Sequence, residues 1–152
     1  MLLRIHGFSL ALVSLATIAG SCDDSPTGTT AFDLSRARTL WAQHGFADYE
    51  YTLTQGCFCG FVGRARVGVR DGTVVSAASL ETGEAIPVEF LRIRTVEGAF
   101  ELIRTFLDDE GDRRVDVRFH DRLGYPVTGD LDLARIADEE LHFEIEDLEP
   151  AD

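Results

Sequence analysis

The stretch RVGVRDGTVV, residues 66–75, predicts a β-hairpin and is the clearest indication of fold in the sequence. Asp71-Gly72 stands between two alternating apolar runs. A two-residue type I′ turn needs a positive φ at both central positions, and Asp-Gly accepts it. In this register the valines Val67, Val69 and Val74 share one face. The opposite face then carries Arg66, Gly68 and Arg70.

Further strands and two helices are predicted on either side of this hairpin. Residues 49–53, 115–119 and 141–145 alternate apolar and polar side chains, and residues 125–133 are extended. The order is helix, three strands, helix, three strands, in units of about 55 residues, below the size that usually folds alone. We therefore predict an α+β fold. Two α-β-β-β units share an antiparallel sheet, with both helices packed on one face.

The helices are predicted from apolar stripes and from capping residues. The first begins near Asp33 or Ser35, either of which can cap it, and carries Trp41 on its apolar side. The second follows Thr95 as its cap. Its stripe comprises Val96, Ala99, Phe100, Ile103, Phe106 and Leu107.

The N-terminus has the features of an export signal. Arg4 precedes an apolar run that is too short to span a bilayer, and the run ends in Ala19-Gly20-Ser21-Cys22. Small residues before a cysteine resemble the lipobox of bacterial lipoproteins. That resemblance implies cleavage before Cys22 and a diacylglyceryl group on its sulfur. An ordinary secretory peptide that leaves Cys22 as a plain thiol is the alternative.

These features divide the chain into four parts. Residues 1–21 are predicted to be the signal peptide, and residues 22–31 the lipidated cysteine with a flexible tether. Residues 32–148 are predicted to form a single α+β domain, and residues 149–152 an acidic tail. The chain is predicted to fray from Asp147 onwards. The predicted location is the bacterial cell envelope, attached to a membrane by the lipid, with the inner or outer membrane left open.

Composition limits the partners. The formal net charge is −13 at pH 7, and all 14 basic residues are arginines. The Coulomb field of such a surface repels nucleic acid, so we predict no nucleic-acid partner. The absence of lysine also excludes a catalytic lysine. The predicted partners are the membrane, through the lipid, and an envelope protein.

Cys57 and Cys59 are one residue apart, in QGCFCGFVG at positions 55–63. In an oxidising compartment, with Cys22 occupied by lipid, the two have only each other to pair with. A structural disulfide that shapes a strand end is the preferred interpretation. A redox pair is the alternative, because strained disulfides exchange readily. A metal site completed by His120 or His142 is a third possibility.

No catalytic motif stands out, so we predict neither enzymatic activity nor a cofactor nor a metal. The predicted function is that of a non-catalytic binding or accessory module. The alternative is a thiol-disulfide or metal-handling protein that uses Cys57 and Cys59. A contact surface is predicted on the helix-free face of the sheet, with residues Phe58, Arg66, Arg70 and Arg118.

Several short motifs occur together in this chain. They are Leu40-Trp41, Gly45, Tyr49-Glu50-Tyr51, Cys57-Phe58-Cys59, Asp71-Gly72, Phe100, 117–121, Gly124-Tyr125-Pro126, Asp130 and Asp138-Glu139-Glu140. The combination resembles a family of uncharacterised bacterial lipoproteins with a central CxC motif and a downstream GYP motif. The resemblance covers residues 33–148. It implies an architecture and a cellular address, but no chemistry, because the function of that family is unknown.

Overall fold

The predicted hairpin is present in the computed structural model of the protein, which describes residues 28–44, 46–109, 113–133 and 140–151. Asp71 and Gly72 both have positive φ, at 48° and 68°, as a type I′ turn requires. Val69 pairs with Val74 across the hairpin, as predicted. The turn therefore sets the register of the two strands.

Helices and strands follow one another in the predicted order. The first unit contains α1 (Ala31–His44), β1 (Tyr49–Cys57), β2 (Gly63–Arg70) and β3 (Thr73–Ser79). After a 3₁₀ turn at Val88–Phe90, the second unit contains α2 (Val96–Asp108), β4 (Arg113–Phe119), β5 (Pro126–Leu133) and β6 (Leu141–Pro150).

All six strands form one antiparallel sheet in the order β3-β2-β1-β6-β5-β4. The two units meet where β1, the first strand of one, pairs with β6, the last strand of the other. Their buried apolar side chains form a single cluster. The predicted α+β class, with two units sharing a sheet and a core, is confirmed.

Both helices lie on the same face of the sheet. The Tyr49 ring on β1 packs edge-on against Trp41 of α1 at a centroid distance of 5.6 Å. The hydroxyl of Tyr49 donates to Glu97 Oε2 of α2 at 3.1 Å. Helix α2 begins at the predicted cap, because the Thr95 side chain accepts the Gly98 N–H. The opposite face of the sheet carries no helix among the described residues.

The start of the domain differs from the prediction. Thr30, not Asp33 or Ser35, caps α1: its hydroxyl accepts the Asp33 N–H at 3.2 Å, and Asp33 Oδ2 accepts the Thr30 N–H at 3.0 Å. This reciprocal pair is a capping box. Hydrogen bonds from Thr30 lower the pKa of Asp33.

The residue before the cap also belongs to the domain. The Thr29 N–H donates to Val115 O at 2.8 Å, and its hydroxyl accepts the Val117 N–H at 2.7 Å. This contact lies on the outer edge of β4. The predicted flexible tether, residues 22–31, therefore extends too far, because Thr29 is hydrogen-bonded to the sheet, Thr30 caps the helix and Ala31 is already helical.

The predicted fraying of the chain from Asp147 onwards is wrong. Strand β6 continues to Pro150, because Glu149 pairs with Glu50 and Pro150 with Tyr49 on β1. The Ala151 N–H also donates to Asp48 O at 3.0 Å. Carboxylates are tolerated here because their side chains point to solvent while the main chain completes the ladder.

Several predictions fall outside the described residues. They concern the signal peptide, Cys22 and most of the tether, Gly45, and Asp138-Glu139. Within the described ranges, neither helix is long and apolar enough to cross a membrane.

Candidate functional site

Three of the short sequence motifs meet in one aromatic cluster. Trp41 contacts Tyr49 and Tyr125 edge-on, at centroid distances of 5.6 and 6.3 Å. Tyr51, behind Tyr49, donates to Arg94 O at 2.8 Å. Burial raises the pKa of both Tyr49 and Tyr51, so these hydroxyls stay protonated as hydrogen-bond donors. These motifs therefore serve the core.

The glycine of the GYP motif has a packing role. Gly124 has a φ of 80° and lies directly against helix α1. A Cβ at this position would lie 2.8 Å from Leu40 Cβ and 2.9 Å from Trp41 N, and it would also collide with Ala37 O. Only glycine permits both the backbone conformation and the close approach.

The CxC motif lies at the other end of the same strand. Tyr49 begins β1 and Cys57 ends it, so the two are about 27 Å apart at the usual rise of a strand. The Sγ atoms of Cys57 and Cys59 are at disulfide-bonding distance, with the Cα atoms 5.3 Å apart. That separation is normal for a disulfide. Residues 56–62, which lead from β1 into β2, are termed the CxC loop below.

The buried side chain of Gln55 connects the CxC loop to residues 90–92 by hydrogen bonds. Its Nε2 donates to Phe61 O at 2.7 Å and to Phe90 O at 3.0 Å, and its Oε1 accepts the Arg92 N–H at 3.1 Å. The side chain is 1% exposed. Gln55 was not among the predicted site residues, although its position in the strand places its side chain on the same inward face as Tyr49, Tyr51 and Leu53.

Exposed apolar side chains concentrate at this end of the sheet. Phe58, between the two cysteines, is 88% exposed. Six large apolar side chains of the described residues are exposed, and four belong to this end: Phe58, Val62, Leu80 and Phe90. The other two are Phe32, at the start of α1, and Val75, on β3. We define the first four as the apolar end surface.

A groove and a wider depression flank the CxC loop. The groove, of about 370 Å³, has apolar walls formed by Phe61, Val62, Ile86, Pro87 and Phe90. The Phe90 ring packs directly onto Gly60, where a side chain would collide with it. The depression, of about 750 Å³, is lined by residues that include Gly56, Phe58, Asp130, Asp132 and His142.

The predicted arginines do not come together as one patch. Arg66 and Arg70 share a partner on the helix-free face: Glu50 lies 3.5 Å from Arg66 and 3.4 Å from Arg70. Arg118 lies on β4, and β1, β6 and β5 separate it from β2. Four strand spacings amount to about 19 Å. Of the predicted contact residues, only Phe58 belongs to the apolar end surface.

The two candidate metal-binding histidines are also separate. His120 follows β4 and stacks on Tyr125, and its Nδ1 accepts the Leu123 N–H at 3.2 Å. His142 lies on β6 opposite Gly56, with Nδ1 2.8 Å from Asp130 Oδ1. Among the described residues, no three His, Cys, Asp or Glu side chains are grouped so that they could hold a metal ion.

Fold and site together define a class: a small α+β domain whose apolar end surface includes a loop with a CxC cysteine pair. The chain belongs to a family of unknown function, DUF6174, whose profile matches residues 33–150. No curated protein and no solved structure matches the chain. The predicted membership of an uncharacterised family is thus confirmed, whereas its lipoprotein character stays a prediction.

Proposed function

We propose that this protein is a non-catalytic binding module of the bacterial cell envelope, held at a membrane by lipid on Cys22. Its contact surface is the apolar end surface around the CxC loop. The observation that carries this proposal is that four of the six exposed large apolar side chains of the described residues lie at one end of the sheet, in a strongly acidic protein. Exposed apolar clusters with polar rims are typical of protein–protein contacts.

The Cys57–Cys59 pair supports this role by limiting the motion of Phe58. The bond between Cys57 and Cys59 closes a ring that includes the Phe58 backbone and restrains it. The hydrogen bond from Gln55 Nε2 to Phe61 O restrains the following part of the CxC loop. A backbone segment that is already held in place loses little conformational freedom when a partner covers it. The disulfide closes so short a loop that chain entropy contributes little to stability. Positioning is therefore its proposed purpose.

Thiol-disulfide exchange is the second candidate. It is favoured by the partial exposure of both cysteines. An incoming thiolate would attack one sulfur, form a mixed disulfide and release the other sulfur as a thiolate. A Cys59→Ser variant would then accumulate a mixed disulfide through Cys57. Intact-mass analysis without reductant would reveal that adduct, and its absence would leave the positioning role.

The lipid anchor predicts a change of location. Cys22→Ala should release the protein from membranes into the soluble fraction or block processing of the leader, because the thioether needs the Cys22 sulfur. The measurement is membrane fractionation with intact-mass analysis in the native host. Normal cleavage with unchanged membrane association would contradict the anchor.

The contact surface predicts a site-specific crosslink. With benzoylphenylalanine in place of Phe58, irradiation of native-host cells should yield a discrete protein adduct. The matched control places the same photoreactive residue at Phe32, which is 76% exposed but lies on α1. Mass spectrometry identifies the adducts. Equal adducts at both positions, or none at position 58, would refute the proposed contact surface.

A further inference from the structure

The groove beside the CxC loop combines apolar walls with an acidic surrounding. Its apolar lining residues are Phe61, Val62, Ala85, Ile86, Pro87 and Phe90, and Ser79 and Thr82 also line it. Glu81 and Glu84 also line the groove, and Glu89 lies next to Phe90 in the chain. All three glutamates are exposed. No arginine lines this groove within the described part of the chain.

The charge is a property of the whole groove-forming segment. The sequence contains no basic residue between Arg70 and Arg92, and it contains four acids there: Asp71, Glu81, Glu84 and Glu89. On the helix-free face of the sheet, by contrast, Arg66 and Arg70 both pair with the carboxylate of Glu50. The negative potential at the groove is therefore not offset by a cation that lines it.

We propose that the groove binds an extended peptide segment of a partner protein, in which apolar side chains alternate with arginine or lysine. This inference rests on the proposed function and names the chemistry of its partner. An apolar side chain fills the groove, and the flanking cations meet the carboxylates of Glu81, Glu84 and Glu89. Complementary charge raises the association rate and makes binding depend on salt.

Charge also decides between the possible occupants. A second copy of this chain brings its own net charge of −13 and is repelled. An anionic lipid surface is repelled for the same reason. A neutral apolar segment would fill the groove but leave the carboxylates without cations. In a segment with both residue types, the apolar side chain fills the groove and the basic side chains pair with the glutamates.

Three labelled peptides test the proposal by fluorescence anisotropy at low salt. In the first, arginine and leucine alternate from end to end; the second replaces each leucine with glycine, and the third replaces each arginine with glutamate. We expect the first to bind, the second to bind about tenfold more weakly, and the third not to bind. Equal binding of the first two peptides, or binding of the third, would overturn the proposal.

Two double variants of the protein, one at the groove and one far from it, test whether the first peptide binds at the groove. Glu84→Gln with Glu89→Gln should weaken binding of the first peptide about fivefold or more. The control, Asp71→Asn with Glu149→Gln, removes the same charge at the opposite end of β2 and β6 and should leave binding unchanged. Equal losses in both double variants would show general attraction to an acidic protein and overturn the groove.

The results separate this inference from the proposed function. A crosslink at position 58 without a preference for the first peptide leaves the contact surface standing and refutes the groove. Binding of the first peptide that depends on Glu84 and Glu89, without a crosslink at position 58, supports the groove and refutes the proposed contact through Phe58. A concentration-dependent dimer in sedimentation that blocks the peptide would identify a second copy as the occupant and refute the proposal.

Discussion

Replacing Gly124 with alanine should lower the free energy of unfolding by about 3 kcal/mol or more, a large effect for one methyl group. Two costs add. The residue would have to keep a φ of 80°, and its Cβ would press into the backbone of α1 at Ala37 and Trp41. Urea unfolding followed by the fluorescence of Trp41, the only tryptophan, measures the change.

Gly83→Ala separates the two costs. Gly83 has a similar φ of 74°, but a Cβ there would meet no atom within 4 Å. We expect this control to cost about 1 kcal/mol, the conformational part alone. Equal losses in the two variants would show that the contact between the GYP motif and α1 contributes nothing.

Replacing Gln55 with leucine should also destabilise the protein strongly, by about 3 kcal/mol. Leucine has a similar size but would leave Phe61 O, Phe90 O and the Arg92 N–H without their present partner. These groups are partly buried, and backbone groups shielded from water lose stability when a hydrogen bond is not replaced. Urea unfolding measures the loss, and faster amide exchange at Arg92 would locate it.

The matched control for Gln55 is Gln43→Leu. Gln43, the other glutamine of the chain, is exposed on α1, so the same substitution should change the free energy of unfolding by less than about 0.5 kcal/mol. If Gln55→Leu changed the free energy of unfolding as little as Gln43→Leu, the stabilisation of the CxC loop by the Gln55 side chain would be refuted.

Local signals explain which parts of the fold could be predicted from the sequence. The hairpin at Asp71-Gly72 and helix α2 after Thr95 depend on neighbouring residues, whose preferences act over a few positions. The pairing of β1 with β6 joins residues about 90 apart in the chain, such as Leu53 and Ile145. Antiparallel partners at that separation leave no local pattern, so the strand order was not predictable.

The candidate site was predicted only in part. Phe58 was found because it stands between two cysteines, a pattern visible along the chain. Leu80 and Phe90 reach the same end of the sheet only after β3 and the following loop have folded back, so their sequence positions gave no indication. Arg66, Arg70 and Arg118 occupy the alternate strand positions expected for the helix-free face. Alternation along a strand identifies the face of the sheet on which a side chain lies, but not which strands are neighbours.

Thr29 has a mechanical consequence. Its backbone and hydroxyl make three hydrogen bonds with the main chain of Val115 and Val117 on β4. Tension applied to the chain ahead of Gly28 therefore reaches the edge of the sheet before it reaches α1. The three bonds share this load, and the capping box at Thr30 is shielded from it. In a protein tethered from this end, the bonds to β4 therefore bear the load before those of the first helix.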